Sequence, residues 1–237
     1  MSATRFPFCR IAVVLFAGWL GAQQPATPPP PVDPALPDQL KELKAMVADT
    51  KMVADFNAIG LMQKLAGGLD ARNPKDKERI AKGLGDVFRT GKLRTAEKEI
   101  LYREASDALA KLGADGAKEL AKAVTDARFK DAIPLQAHRI VALGKYTSLD
   151  IKVRREVVKS LIRDWGSLNQ KATQPESNDP SAPINLEPQN ARKTLRAVEG
   201  KWIATLTKLT GVSQSGFADW QRWLNKNPNW VGPTKKP

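Results

Sequence analysis

Cysteine and histidine each occur once in the 237 residues, and Cys9 lies ahead of the main apolar run. A chain this poor in both cannot assemble a Cys/His zinc site or the common nucleophile–base dyads. Disulfide staples are excluded as well, so stability has to come from a packed core. Tyrosine occurs only twice, and no stretch alternates apolar and polar residues with period two, which argues against a half-buried sheet. A phosphate-cradling loop is missing too, since Gly83 and Gly85 fall inside a helical pattern with no strand before them. The apolar run over residues 11–22 is twelve residues long, against about 20 for a membrane-spanning helix. These absences leave no catalytic residue, metal ligand or cofactor site to assign.

What the chain does have begins at its N-terminus. Arg5 and Arg10 precede the apolar run, and Gln23-Gln24-Pro25 follows it. That order is a secretory signal peptide over residues 1–22, cleaved after Ala22, although Leu20 is larger than the small residue preferred at its position. The expected location is the periplasm or beyond, with no stable membrane span after cleavage. A retained anchor is the competing reading. Cleavage removes two bases and no acid, taking the net charge from +13 to +11. Residues 23–37, with Pro25, Pro28, Pro29, Pro30, Pro31, Pro34 and Pro37, read as an extended linker.

A helical repeat region is expected over residues 38–168. Apolar residues recur at three and four: Leu40, Leu43 and Val47, then Met52, Phe56, Ile59, Met62 and Leu65 before Gly67-Gly68. Asn73-Pro74 is a start signal for the next helix, with Ile80, Leu84 and Val87 on one side. Thr95, Glu97 and Glu99 mark the following start, ahead of Leu101, Ala105, Ala108, Leu109 and Leu112. Ala117, Leu120 and Val124 form a shorter helix, and Ala137, Ile140 and Val141 another. Thr147 and Asp150 suggest a capping box for the helix reaching Trp165. Residues 169–188, rich in Gln, Ser, Asn and Pro, read as a flexible loop. C-terminal helices packing on the array are expected over 189–227, with Trp202, Leu206, Phe217, Trp220 and Trp223, and a flexible tail over 228–237.

Two helical segments share a pattern, an aromatic or β-branched residue followed by Arg, then small or aliphatic residues and Leu: Tyr102-Arg103 to Leu109 and Val153-Arg154 to Leu161. Leu84-Gly85, Leu112-Gly113 and Leu143-Gly144 recur 28 and 31 residues apart. Helix pairs recurring in this way bury their apolar stripes by stacking. Over roughly residues 74–165 the chain resembles the HEAT repeat family, whose second helix has a similar VRxxAxxxLG pattern. Leu209-Thr210-Gly211 followed by Phe217, Trp220 and Trp223 resembles the ending of some large exported bacterial HEAT-like proteins. The resemblance implies an all-α fold, a short α-solenoid of HEAT-like or armadillo-like hairpins with a C-terminal capping helix. It implies presentation of a long surface to protein partners, here another protein of the cell envelope, and no enzymatic activity.

Among polar residues, Lys152, Arg155, Lys159 and Arg163 cluster on one side of the helix ending near Trp165, opposite Val157, Val158, Leu161 and Ile162. A basic stripe of this kind could follow an anionic polymer, a cell-wall glycan or a nucleic acid. The plainer reading is a solvated face. His138 reads as a solvated or locally bonded side chain. Glu97, Glu99, Glu104 and Asp107 read as helix-start charges and exposed side chains, with paired-carboxylate glycoside cleavage the weaker alternative. Trp220, Trp223 and Trp230 read as a capping core, with stacking on sugars or bases as the alternative.

Overall fold

The computed structural model describes residues 29–95, 98–124, 126–175 and 185–232. The signal segment with Cys9, and Glu97, lie outside the described residues. Nine α-helices and no strand occur among the described residues, so the fold is all-helical. They are α1 (Leu36–Ala48), α2 (Asp55–Leu65), α3 (Pro74–Val87), α4 (Ile100–Leu109), α5 (Gly113–Val124), α6 (Ile133–Leu143), α7 (Ile151–Ala172), α8 (Glu187–Thr210) and α9 (Phe217–Lys226). No described helix is long and apolar enough to cross a membrane.

Several boundaries follow from local chemistry. Asn73 caps α3 by accepting from the Lys75 amide at 2.9 Å, with Pro74 at the first position where its missing amide is no loss. Asp150 caps α7, accepting from the Lys152 amide at 2.8 Å. No capping box forms there, because Thr147 sits in a separate 3-10 turn, Tyr146–Ser148. α4 starts at Ile100 with Glu99 at its cap position and no side-chain cap, so Thr95 is not its start. Gly211, at φ 77°, closes α8 in the left-handed region that favours glycine.

The helices pack in two rows. α1, α3, α5, α7 and α9 each contact the next in that series, α2, α4, α6 and α8 do the same, and α1·α2, α3·α4, α5·α6 and α7·α8 join the rows. The leading helices begin at Leu36, Pro74, Gly113 and Ile151, 38, 39 and 38 residues apart. Eight positions into each stand Leu43, Ala81, Leu120 and Val158, all at most 1% exposed. One turn later come Val47, Gly85, Val124 and Ile162, also buried. Buried positions therefore recur in one register along the four leading helices.

The Leu-Gly dipeptides do not mark this period. Leu84-Gly85 lies inside α3, Leu112-Gly113 sits at the α4–α5 junction, and only Leu143-Gly144 ends a helix. Two α3 glycines serve close approach instead. A Cβ on Gly83 would meet Leu40 Cδ2 at 2.6 Å, and one on Gly85 would meet Glu119 Oε2 at 2.6 Å, so α1 and α5 both settle against α3.

Parts of the expected linker, loop and tail belong to the packed fold. Within residues 23–37, α1 already starts at Leu36, the Pro30 carbonyl accepts from Asn73 Nδ2 at 2.7 Å, and the Asp33 amide donates to Asp76 Oδ2 at 2.8 Å. The stretch entering α1 is therefore bonded to the start of α3. Within residues 169–188, α7 continues to Ala172 and α8 starts at Glu187, with Pro188 in its first turn. The expected tail docks as far as Gly232: Trp230 is buried and its ring lies 5.9 Å from that of Trp223.

Tryptophans join the last three helices. Trp165 of α7 stacks on Trp202 of α8, centroids 5.9 Å apart at 11°. Phe217 of α9 packs against Trp165 at 5.8 Å. Aromatic pairs add about 0.5–1.5 kcal/mol beyond area burial, so α9 closes the row on a surface it fits.

Candidate functional site

The stripe Lys152, Arg155, Lys159 and Arg163 is where a polymer-binding surface was expected; Lys152, Lys159 and Arg163 are exposed, and Arg155 is drawn into the fold. Arg155 donates to the Trp230 carbonyl through Nε at 3.0 Å and through Nη2 at 2.6 Å, and to the Asn229 carbonyl at 2.6 Å. Beside it Arg154 donates to the Leu209 carbonyl at 3.2 Å and lies over the Trp230 ring at 5.9 Å. Lys159 pairs with Glu156 at 3.0 Å. Arg163 pairs with Asp164 at 3.2 Å and donates to Ser160 at 3.0 Å. Asp164 is buried, and that burial pushes its carboxyl above the ordinary range while Arg163 works against the shift. Only Lys152 of the four is exposed without a partner among the described residues. Arg155 is thus a clamp for the segment after α9, because a guanidinium presents several donors to the Asn229 and Trp230 carbonyls.

That role predicts a local effect. Arg155→Ala should release residues 227–232, seen as faster amide exchange at Trp230 and Val231 while α1 to α6 keep their protection, with about 1–3 kcal/mol lost. Unchanged exchange there would make the clamp incidental.

The carboxylates are engaged rather than converging. Glu99 is buried, not exposed, and pairs with Arg103 at 3.6 Å. Glu104 accepts from Gln63 at 3.1 Å. Asp107 holds Lys145 at 2.7 Å and His138 at 3.2 Å, so the histidine is locally bonded. Among the described residues, no group of three or more His, Cys, Asp or Glu is placed to hold a metal ion. Trp220 and Trp230 are buried and Trp223 is half-buried, Trp220 and Trp223 lying edge to face at 5.5 Å.

An unpaired basic surface lies on α8. Lys193, Arg196, Lys201 and Lys208 are exposed and have no partner among the described residues. At 100° per residue they fall within an arc of about 140° that excludes Glu187 and Glu199. An open depression of about 500 Å³ runs along this face beside Gln189, Lys193 and Arg196. The same wheel that placed the α7 stripe finds these four residues. What singles them out is pairing, which depends on neighbouring segments and is invisible to a wheel.

A second surface is apolar. Asp55, the first residue of α2, binds Arg94 at 2.7 Å, and Gln63 near the end of α2 binds Glu104 of α4, so α2 and α4 run in the same direction. Their starting ends therefore meet. There Phe56 is 81% exposed, Val53 79%, Ile100 52% and Leu93 40%.

No family model matches the chain, and neither a curated protein nor a solved structure matches it.

Proposed function

We propose that the chain is a short α-solenoid, four HEAT-like or armadillo-like hairpins closed by α9, exported and acting as a non-enzymatic scaffold for another protein of the cell envelope. The solenoid reading is supported by the two-row packing and by the period of 38 to 39 residues, close to that of HEAT and armadillo units. Export is supported by Arg5, Arg10 and the apolar run before Gln23. The observation that carries the binding role is the exposure of Val53, Phe56, Leu93 and Ile100 near the starts of α2 and α4. Large apolar side chains gathered in water are a liability that a protein interface removes.

A second reading, a binder of anionic polymer such as cell-wall glycan or nucleic acid, is favoured by the unpaired bases of α8 rather than by the α7 stripe.

One experiment separates the two. The tagged full-length chain is expressed, recovered and used as bait in envelope extract at about 0.1 M and about 1 M salt, where the screening length falls from ~10 Å to ~3 Å. The scaffold reading expects discrete proteins that persist at high salt and are lost with Phe56→Asp. If only anionic polymer is retained, and Lys193→Glu with Arg196→Glu releases it, the scaffold reading fails. The mass of the recovered chain is expected to correspond to a start at Gln23; a start at Met1 would remove the export part.

A further inference from the structure

The two sides of α8 differ in kind. Val198, Trp202, Leu206 and Leu209 are buried where it packs on α6 and α7. The opposite side carries Lys193, Arg196, Lys201 and Lys208, exposed and without a partner among the described residues. Lys193 and Lys208 stand fifteen positions apart, about 22 Å along the axis. The other exposed residues in their arc are Gln189, Asn190, Ala197, Gly200 and Ala204, none of them large and apolar. Both acids of α8 lie outside it: Glu187 pairs with Lys171 at 2.8 Å, and Glu199 is half-buried. Lys208 crosses α6 at Gly144, where a Cβ would stand 3.6 Å from its Cδ, so its stem is packed while its charge reaches solvent.

These features select the kind of contact. Single-stranded nucleic acid is held by stacking on aromatic faces, and the exposed arc has none. Insertion of a helix into a bilayer needs a free apolar face, and that of α8 is taken up by α6 and α7. A face of bases and small residues suits a plane of negative charge. Each base within a screening length of such a plane adds to binding, and no side chain has to enter hydrocarbon. The open depression of about 500 Å³ beside Gln189, Lys193 and Arg196 gives a phosphate group room to approach both bases.

We infer that the exposed side of α8 rests on a membrane surface of anionic phospholipid, with Lys193, Arg196, Lys201 and Lys208 meeting headgroup phosphates and no part of the helix inserted. The inference does not depend on the scaffold reading, since it uses a different surface from Phe56 and its neighbours. It also departs from the polymer reading of the same bases, because the ligand is a planar array of phosphates rather than a chain.

The test is co-sedimentation of the full-length chain with vesicles of phosphatidylglycerol and phosphatidylcholine in equal parts, and with vesicles of phosphatidylcholine alone. The mixed vesicles should bind the chain at about 0.1 M salt and release it at about 1 M, and the neutral ones should not bind it. At about fivefold per base, Lys193→Gln with Arg196→Gln should weaken binding about tenfold or more, and Lys201→Gln with Lys208→Gln by a similar factor. The helical circular dichroism spectrum should be unchanged in both, because all four side chains are exposed. Lys41→Gln with Lys44→Gln, the same loss of charge from exposed positions of α1, should leave binding unchanged. An equal loss with the α1 pair would reduce the effect to net charge and overturn the inference. So would equal binding to neutral vesicles, or binding indifferent to the α8 bases. Duplex DNA or polygalacturonate held through the α8 bases while the vesicles are not would make the occupant a polymer, and would overturn it too. If the vesicles fail while extract proteins are still captured through Phe56, this inference falls and the scaffold reading stands. Vesicle binding through α8 with no protein captured would leave the inference standing and remove the scaffold reading.

Discussion

Arg94→Met should lower folding stability by about 3–5 kcal/mol, read from urea unfolding, because it strips a buried carboxylate of its counter-ion among the described residues. Arg94 is 3% exposed and grips Asp55 through Nη2 at 2.7 Å and Nε at 3.2 Å. Its other donors reach the Val47 carbonyl at 2.9 Å and the Lys92 carbonyl at 2.7 Å. One side chain therefore joins the end of α1, the start of α2 and the approach to α4. Methionine can fill the volume but leaves Asp55, 8% exposed, charged and unpaired. A loss under about 1 kcal/mol would mean that Asp55 finds water or another partner.

Arg139→Met should behave in the opposite way, changing stability by no more than about 1 kcal/mol, whereas Arg139→Ala should remove about 3–5 kcal/mol by opening a cavity. Arg139 is fully buried without a carboxylate. Its charge rests on aromatic faces, 4.0 Å from the Phe129 centroid and 4.6 Å from that of Phe88, and Nη1 donates to the Ala123 carbonyl at 2.6 Å. Burial brings its guanidinium down from the ordinary arginine range to about 10, a charging penalty of about 3 kcal/mol. Methionine removes that penalty together with the cation–π and hydrogen-bond gains that offset it. Alanine removes the packing too. The sign follows from the lowered value. Below about pH 9 the group is charged in both folded and unfolded chains, so its contribution is flat, and stability from this group rises only as pH climbs through about 10 toward the ordinary arginine range. The difference between wild type and Arg139→Met should thus be constant from about pH 5 to 9. A slope there would assign the effect to another group.

These two arginines look alike in the sequence. Arg94 sits in a polar stretch and Arg139 beside the only histidine, and nothing in their spacing marks either as buried. The same limit explains the α7 stripe. A helical wheel placed Arg155 on the side away from Val157 and Leu161, which the structure retains, but it could not supply the strand of backbone from Asn229 to Trp230 that covers it. Charge on a wheel is read against water, whereas a second segment of chain replaces that water with carbonyls.

The sequence by itself determined the helices, their caps at Asn73 and Asp150, the breaks at Gly67-Gly68 and Gly211, and most inward residues from Leu43 to Leu209, although Phe56 and Val141, expected on the inward stripes, are exposed. Those depend on contacts within a few residues, where periodicity and capping chemistry decide the outcome. Only the tertiary structure decided the period of 38 to 39 residues, which the Leu-Gly dipeptides misplaced, and the docking of Asp33 and Trp230 onto distant helices. It also decided which bases stay free. Lys41, Lys44, Lys193 and Arg196 face solvent while Arg94, Arg139 and Arg155 are spent on the fold. The physical reason is that pairing and desolvation are set by residues tens of positions away, brought together only when the helices pack.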